Sequence, residues 1–224
     1  MRTILNYSLK FLLFLHTLFM LLEPVQAQDS LSNTSISIHW VNSLPGDFSF
    51  RNQWSYPEGI YRNQFGQLCC DGLCPDGTSH MRNAAGMIYQ AYLKKYYQLI
   101  DTTHQFYSIQ SESNCYEFGQ VYFIKAVHDK ASNITKCHTL TNVSSHSSLN
   151  IEILPLGCKA SIELNSIKAA TGKQTFHCTS GQIKIDKVAW QAGVLKAAFS
   201  FQFYNHLDVQ TPLFWKGKIF TNID

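Results

Sequence analysis

Residues 194–204 read VLKAAFSFQFY, and this run decides the fold. Phe199, Phe201 and Phe203 alternate with small or polar residues, which is the period of a β-strand that buries one face. The run contains no glycine or proline that would interrupt a strand. It therefore predicts a long strand near the C-terminus, with the three phenylalanine side chains in a hydrophobic core.

Shorter runs on the N-terminal side repeat the same alternation. Residues 36–40, 149–154 and 158–164 place apolar side chains at every second position. Turn-forming pairs separate such runs, for example Leu156-Gly157. Because strands recur about every ten residues with little helix between them, the sequence predicts a mainly β domain, an antiparallel β-sandwich or a barrel.

Residues 79–100 carry a different pattern. Met81, Ile88, Tyr96 and Leu99 recur at helical spacing, with polar residues between them. The pattern predicts one amphipathic helix over about residues 79–100, packed against the sheet.

Residues 52–79 combine turn-forming residues with aromatic side chains, and Trp54, Tyr56 and Tyr61 lie among them. Exposed aromatic side chains on a β scaffold stack on sugar rings or form the centre of protein interfaces. The alternative is that they fold back over the end of the sheet and belong to the core. We predict Trp54, Tyr56 and Tyr61 as the binding residues and keep that alternative open.

The first 27 residues have the pattern of a secretory signal peptide. Arg2 and Lys10 are positively charged, residues 11–22 are mostly apolar, and residues 25–27 (VQA) place small side chains at a cleavage site. The apolar run is shorter than the roughly 20 residues that a membrane span needs. We expect cleavage after residue 27, a single mature β-rich domain over residues 28–224, no transmembrane span in it, and a secreted, periplasmic or cell-surface location.

All seven cysteines follow this predicted signal peptide, and they are Cys69, Cys70, Cys74, Cys115, Cys137, Cys158 and Cys178. In an exported chain they predict disulfides, although an odd number leaves at least one unpaired, and some of them fit buried thiols. Residues 69–74 (CCDGLC) with His80 leave a metal site or a redox site as further interpretations.

Sequence motifs of catalysis are missing. The chain has no Gly-x-Ser-x-Gly elbow, no His-Glu-x-x-His pair, no Walker loop and no dinucleotide fingerprint. The remaining candidates for acid–base chemistry are His104, which follows Asp101, and His146, which lies in a serine-rich stretch.

Charge excludes another class of function. The chain has 18 Lys and Arg against 15 Asp and Glu, a formal net charge of +3. This excess is too small and too scattered for an electrostatic nucleic-acid binder. The sequence favours a non-enzymatic exported domain that binds a protein or a carbohydrate, with no cofactor, no metal and no nucleic acid. An exported hydrolase that uses His104 or His146 and a structural component of a surface assembly are the alternatives.

Overall fold

The computed structural model describes residues 36–57, 59–70, 74–141 and 145–224. The predicted signal peptide lies outside these described residues. The strands are β1 Ile38–Val41, β2 Trp54–Ser55, β3 Ile60–Arg62, β4 Leu68–Cys70, β5 Gln105–Phe106, β6 Ile109–Asn114, β7 Ile124–Asp129, β8 Ile134–Thr139, β9 Ser147–Leu154, β10 Gly157–Asn165, β11 Lys173–Asp186, β12 Val194–Phe203 and β13 Leu213–Asn222. The helices are α1 Leu93–Tyr97 and α2 Lys187–Gln191, with 3-10 turns at Ser49–Asn52, Ser79–Met81 and Gln90–Tyr92.

Nine of these strands form one curled sheet. The order is β6-β13-β12-β11-β10-β9-β8-β7 with antiparallel neighbours, and β1 runs parallel to the end of β11. Beyond β13, Ile223 bridges Ala126 of β7, and the His128 N–H donates to the Asp224 carbonyl at 2.8 Å. These contacts join the C-terminal end of β13 to β7, the last strand of the order, and so close the curl of the sheet. The prediction of a mainly β, antiparallel, barrel-like domain is therefore confirmed.

Strand β11 bends and divides the sheet into two halves. Its first residues pair with β10, its later residues pair with β12, and the register shifts between Cys178 and Ser180. Gly181 has φ +152°, and a Cβ there would lie 2.4 Å from the Ser200 carbonyl oxygen, so only glycine fits. We call β7–β10 with the start of β11 the first half-sheet, and β1, the end of β11, β12, β13 and β6 the second half-sheet.

The barrel core contains the side chains that the alternation predicts. Phe199, Phe201 and Phe203 are 5%, 0% and 5% exposed. They pack in one cluster with the inward residues of the other strands, including Ile151 and Trp215, which are both fully buried. The predicted inward face of residues 194–204 is therefore confirmed.

The helix predicted over residues 79–100 is much shorter, since only Leu93–Tyr97 is α-helical. The Asn83 side chain accepts hydrogen bonds from the Ala85 and Met87 N–H groups, which turns the chain. Gly86 follows at φ +78°, and a Cβ there would lie 2.5 Å from the Cys70 carbonyl oxygen. This tight turn against β4 excludes a continuous helix, and the prediction was wrong in its extent.

The partner of α1 also differs from the expectation. Tyr96 is fully buried, but its neighbours are Met81, Ile88 and other residues outside the barrel, while Leu99 is 48% exposed. These residues form a second hydrophobic cluster, which α1 joins in place of the large sheet. We call residues 54–107, which contain this cluster, the aromatic segment.

The chain after β1 covers part of the outer face of the second half-sheet. Leu44, Phe48 and Phe50 are buried against outward side chains of β12 and β13, among them Phe220. Asp186 fixes this covering stretch, because its carboxylate accepts the Leu44 N–H at 3.0 Å. We call residues 42–52 the strap. Among the described residues, no helix is both long and apolar enough to cross a membrane.

Candidate binding surface

Trp54 and Tyr56 lie together at the start of the aromatic segment. The Trp54 ring is half-buried and stacks on the His104 ring, with 3.9 Å between centroids and 14° between planes. The Tyr56 ring meets Trp54 edge-on at 5.1 Å and Tyr97 at 6.3 Å. Because Tyr56 is only 7% exposed, it supports Trp54 from within the second cluster.

Tyr61 belongs to a different group. It is half-buried on β3 and pairs across the hairpin with Cys69, on the face opposite to Ile60. The pKa of the Tyr107 phenol is raised, first by burial and then by the nearby Tyr122 and Tyr61 phenols. Tyr107 itself stacks on Tyr122 at 4.3 Å. The structure therefore brings Trp54 and Tyr56 together and places Tyr61 near Tyr107, which lies between β5 and β6.

Sequence reasoning missed the most exposed aromatic residues of the aromatic segment. Phe106 lies directly opposite Trp54 in the β2–β5 pair and is 57% exposed. Phe65, at the β3–β4 turn, is 76% exposed, and Tyr89 is 45% exposed. β5 is paired with β2 outside the barrel, so side-chain alternation alone does not show which of its faces meets solvent.

Local bonds connect the turns of this region. The Arg62 guanidinium donates to the Tyr97 hydroxyl at 2.5 Å and to the Gly66 carbonyl at 2.7 Å, which ties the β3–β4 turn to α1. A disulfide joins Cys70 to Cys74 at the end of β4. A surface that is already ordered loses less conformational entropy when a partner binds.

The cysteines divide into one bridge and five free thiols, namely Cys69, Cys115, Cys137, Cys158 and Cys178. Burial raises the pKa of Cys137 and Cys158 to about 12 and that of Cys178 to about 11. Thiols with such pKa values are protonated at neutral pH and are poor nucleophiles and poor metal ligands.

The disulfide uses two of the thiols that a metal site at residues 69–74 would need. Cys70 and Cys74 are bonded to each other, and the His80 ring packs edge-on against Tyr92 at 5.5 Å. Within the described residues, no group of three or more His, Cys, Asp or Glu side chains is placed to hold a metal ion.

The carboxylates near the two acid–base candidates, His104 and His146, form hydrogen bonds that stabilise local turns. The Asp101 carboxylate accepts the Thr103 N–H at 2.8 Å, so it closes a turn, while the nearby His104 ring stacks on Trp54. Near His146, the Glu117 carboxylate accepts hydrogen bonds from the Ser166 hydroxyl at 2.6 Å and the Ile167 N–H at 3.0 Å. These two hydrogen bonds are the main causes that lower the pKa of Glu117.

Comparison with family models, with curated proteins and with solved structures finds no match for this chain. The functional argument therefore rests on the geometry of the described residues.

Proposed function

We propose that this protein is an exported, non-enzymatic binding domain that captures a protein partner through the aromatic segment. The observation that carries the proposal is the exposure of Phe65, Tyr89 and Phe106. Among the described residues, the only other aromatic side chains that are comparably exposed are Trp40 and Tyr204. Exposed aromatic residues on an ordered surface are the usual centre of a protein interface.

Export is supported by two independent features. Residues 1–27 have the charge and hydrophobicity pattern of a signal peptide. The Cys70–Cys74 disulfide is a kind of bond that persists in oxidising compartments. N-terminal sequencing of the mature protein should give Gln28 as the first residue, and a cytosolic protein that retains Met1 would contradict export.

A carbohydrate partner is the second candidate. It is favoured by the parallel stack of Trp54 on His104 beside exposed Phe106, because flat ring systems of this kind pack against the apolar face of a sugar. A protein interface would use the whole set of exposed aromatic residues, whereas a sugar site would depend on Trp54, His104 and Phe106 alone.

The test uses a triple variant, Phe65→Ser, Tyr89→Ser and Phe106→Ser, with Tyr204→Ser and Leu156→Ser together as the control. The control residues are 45% and 98% exposed but lie on loops of the barrel. The exported protein is cross-linked in its own compartment, partners are quantified by mass spectrometry, and both variants are probed on a glycan array.

We expect the triple variant to lose specific partners that the control variant retains. Loss of glycan binding on changing Phe106 alone, with protein partners unaffected, would favour the carbohydrate candidate. Equal capture by the wild type and the triple variant would refute the aromatic segment as the binding surface.

A further inference from the structure

Strand β1 has a partner strand on only one side. It pairs in parallel with the end of β11, from Ile38 to Val41. On its other side the preceding Ile36 exchanges two backbone hydrogen bonds with Cys158 of β10, both at 2.7 Å. Because β10 begins at Gly157, no further strand lies beside this second side of β1 among the described residues. We call this side the open edge.

The bonds of Ile36 show which backbone groups of β1 face the open edge. Successive residues of a strand point their N–H and C=O groups to alternate sides. Ile36 bonds toward β10, so Ile38 and Trp40 point the same way, while His39 faces β11. Neither Ile38 nor Trp40 has a backbone partner on that side among the described residues. The open edge therefore offers two N–H donors and two C=O acceptors at the spacing of a β-ladder.

The side chains along the open edge do not protect it from another strand. Natural edge strands are commonly shielded by a lysine, a proline or a bulge. β1 reads IHWV and has none of these, and Trp40 is 44% exposed although its ring packs edge-on against Trp190 at 5.3 Å. Leu156, in the turn before β10, is 98% exposed. An exposed apolar edge of this kind is a site for pairing with a further strand.

The open edge is complementary to itself. Two copies of β1 that meet antiparallel, about a twofold axis through His39, place Ile38 of each copy opposite Trp40 of the other. Both pairs join residues whose backbone groups face the edge, so the copies exchange four N–H to C=O hydrogen bonds. A β-branched side chain opposite an aromatic one is a favourable cross-strand pair. No other antiparallel register joins both residues to outward-facing residues of β1.

The charges near the open edge allow this pairing. The His39 side chains of the two copies would stand side by side, each with Lys184 of its own β11 on the far side. The two lysines would be three strand spacings apart, about 14 Å, which exceeds the Debye length of about 8 Å at physiological salt. Repulsion between them is therefore largely screened.

We propose that β1 pairs with β1 of a second copy of this chain, which joins the second half-sheets of two barrels into one continuous sheet. Few residues of each copy take part, so the dimer is weak, with a Kd between about 10 µM and 1 mM. This interface is separate from the aromatic segment and does not depend on the function proposed above.

The first test is a cross-link through His39. In the proposed register His39 lies opposite His39 of the second copy in a non-hydrogen-bonded pair, with Cα atoms about 4.5 Å apart, which a disulfide can bridge. His39→Cys protein is equilibrated in a glutathione redox buffer, and covalent dimer is quantified by non-reducing electrophoresis. The matched control is His138→Cys, at an exposed histidine of β8, which has strands on both sides. We expect at least about tenfold more covalent dimer from His39→Cys than from the control.

The second test removes one backbone donor from the open edge. Trp40→Pro lacks the N–H that faces the second copy and leaves the bonds of His39 to β11 in place. Trp40→Ala is the matched control, because it also removes the indole ring but keeps the N–H. Analytical ultracentrifugation up to about 1 mM should show a dimer for the wild type, and a Kd at least about tenfold higher for Trp40→Pro than for Trp40→Ala. Circular dichroism checks that both variants fold, and the cross-link decides if Trp40→Pro does not.

Three results would overturn the proposal. The first is a wild-type protein that sediments as a monomer over the whole concentration range. The second is equal cross-linking of His39→Cys and His138→Cys, which would mean random collision. The third is a folded Trp40→Pro variant that dimerises as well as Trp40→Ala, which would place the contact between copies on another surface.

Discussion

The barrel and the aromatic segment are built in different ways within one chain. The barrel uses strands of up to 14 residues around a core of aliphatic and phenylalanine side chains, and its buried cysteines are free thiols. The aromatic segment uses strands of two or three residues, short turns, tyrosine-rich packing and the disulfide. The barrel is therefore stabilised mainly by burial, and the aromatic segment depends on specific local bonds.

This difference predicts where the chain tolerates amino-acid substitution. A long strand is held by many neighbours, so its geometry is set by burial of one complete face. A short strand outside the sheet contributes few contacts, and its position depends on a disulfide, a turn or a single hydrogen bond. Substitutions should accordingly cost most in the barrel and act locally in the aromatic segment.

The largest effect is expected at Phe201, a fully buried residue of β12. Phe201→Ala should lower the free energy of unfolding by about 3–5 kcal/mol, because it removes a large core side chain and leaves a cavity. Chemical denaturation followed by circular dichroism measures this change. A loss below about 1 kcal/mol would mean that the barrel core is not the main source of stability.

Asp186 should have the next largest effect, since one carboxylate connects the strap, α2 and β12. It accepts hydrogen bonds from the Leu44 N–H, the Ala189 N–H and Lys196, each at 3.0 Å. Asp186→Ala should cost about 3 kcal/mol through the lost helix cap and the unpaired Lys196. Asp186→Asn, which keeps one acceptor, should cost less.

The same residue makes a pH prediction. The backbone N–H groups of Leu44 and Ala189, followed by Lys196, hold the pKa of Asp186 far below its ordinary value. A lowered pKa adds stability above the unfolded-state pKa of about 3.9, and this stability is lost as pH falls below it. The difference in unfolding free energy between wild type and Asp186→Ala should therefore shrink between about pH 5 and pH 2. A constant difference over that range would contradict the assigned ionisation.

The disulfide should have a smaller and local effect. Cys70→Ser with Cys74→Ser opens a bridge of sequence separation 4, and the loop-entropy relation gives about 2 kcal/mol for so short a loop. Hydrogen exchange should accelerate in the aromatic segment and stay unchanged in β9 to β12. Cys115→Ser, at a half-buried free thiol, is the control. Faster exchange throughout the barrel would show that the two regions unfold together.

The smallest effect is expected on the exposed surface of the aromatic segment. Phe65→Ala and Phe106→Ala should each change the free energy of unfolding by less than about 0.5 kcal/mol, because neither ring is held in a core. Thermal melts of the single variants measure this. A larger loss at Phe106 would place it in the packing around Trp54 and would weaken its role in binding.

Much of the barrel could be predicted from the sequence. The alternation at Phe199, Phe201 and Phe203 identified both the strand and its buried face, because the two faces of a strand are defined by a period of two. The spacing of Met81, Ile88 and Tyr96 correctly marked buried residues but misled about their conformation. They reach the second cluster from three separate local elements, and Tyr96 alone lies in the α-helix. Asn83 and Gly86 are the residues that mark the break in the helical pattern.

The candidate site could be predicted only in part. The sequence grouped Trp54, Tyr56 and Tyr61 in one aromatic region, but the contacts of Tyr61, the burial of Tyr56 and the exposure of Phe106 depend on which elements cover them. His104 shows the same limit, since its stack on Trp54 joins residues 50 positions apart in the chain. Residue identity gives the capacity for such contacts, and the fold decides which of them are made.

By itself, the sequence determined the β class, the inward side chains of the long strands and the pattern that predicts export. These follow from local order, because side-chain alternation and an apolar N-terminal run are properties of neighbouring residues. Only the tertiary structure decided that the sheet closes through residues 223 and 224, that the strap covers part of one outer face, and that mostly polar side chains line the other. Those features arise from strand order and register, which join residues far apart in the chain through pairing that no local pattern specifies.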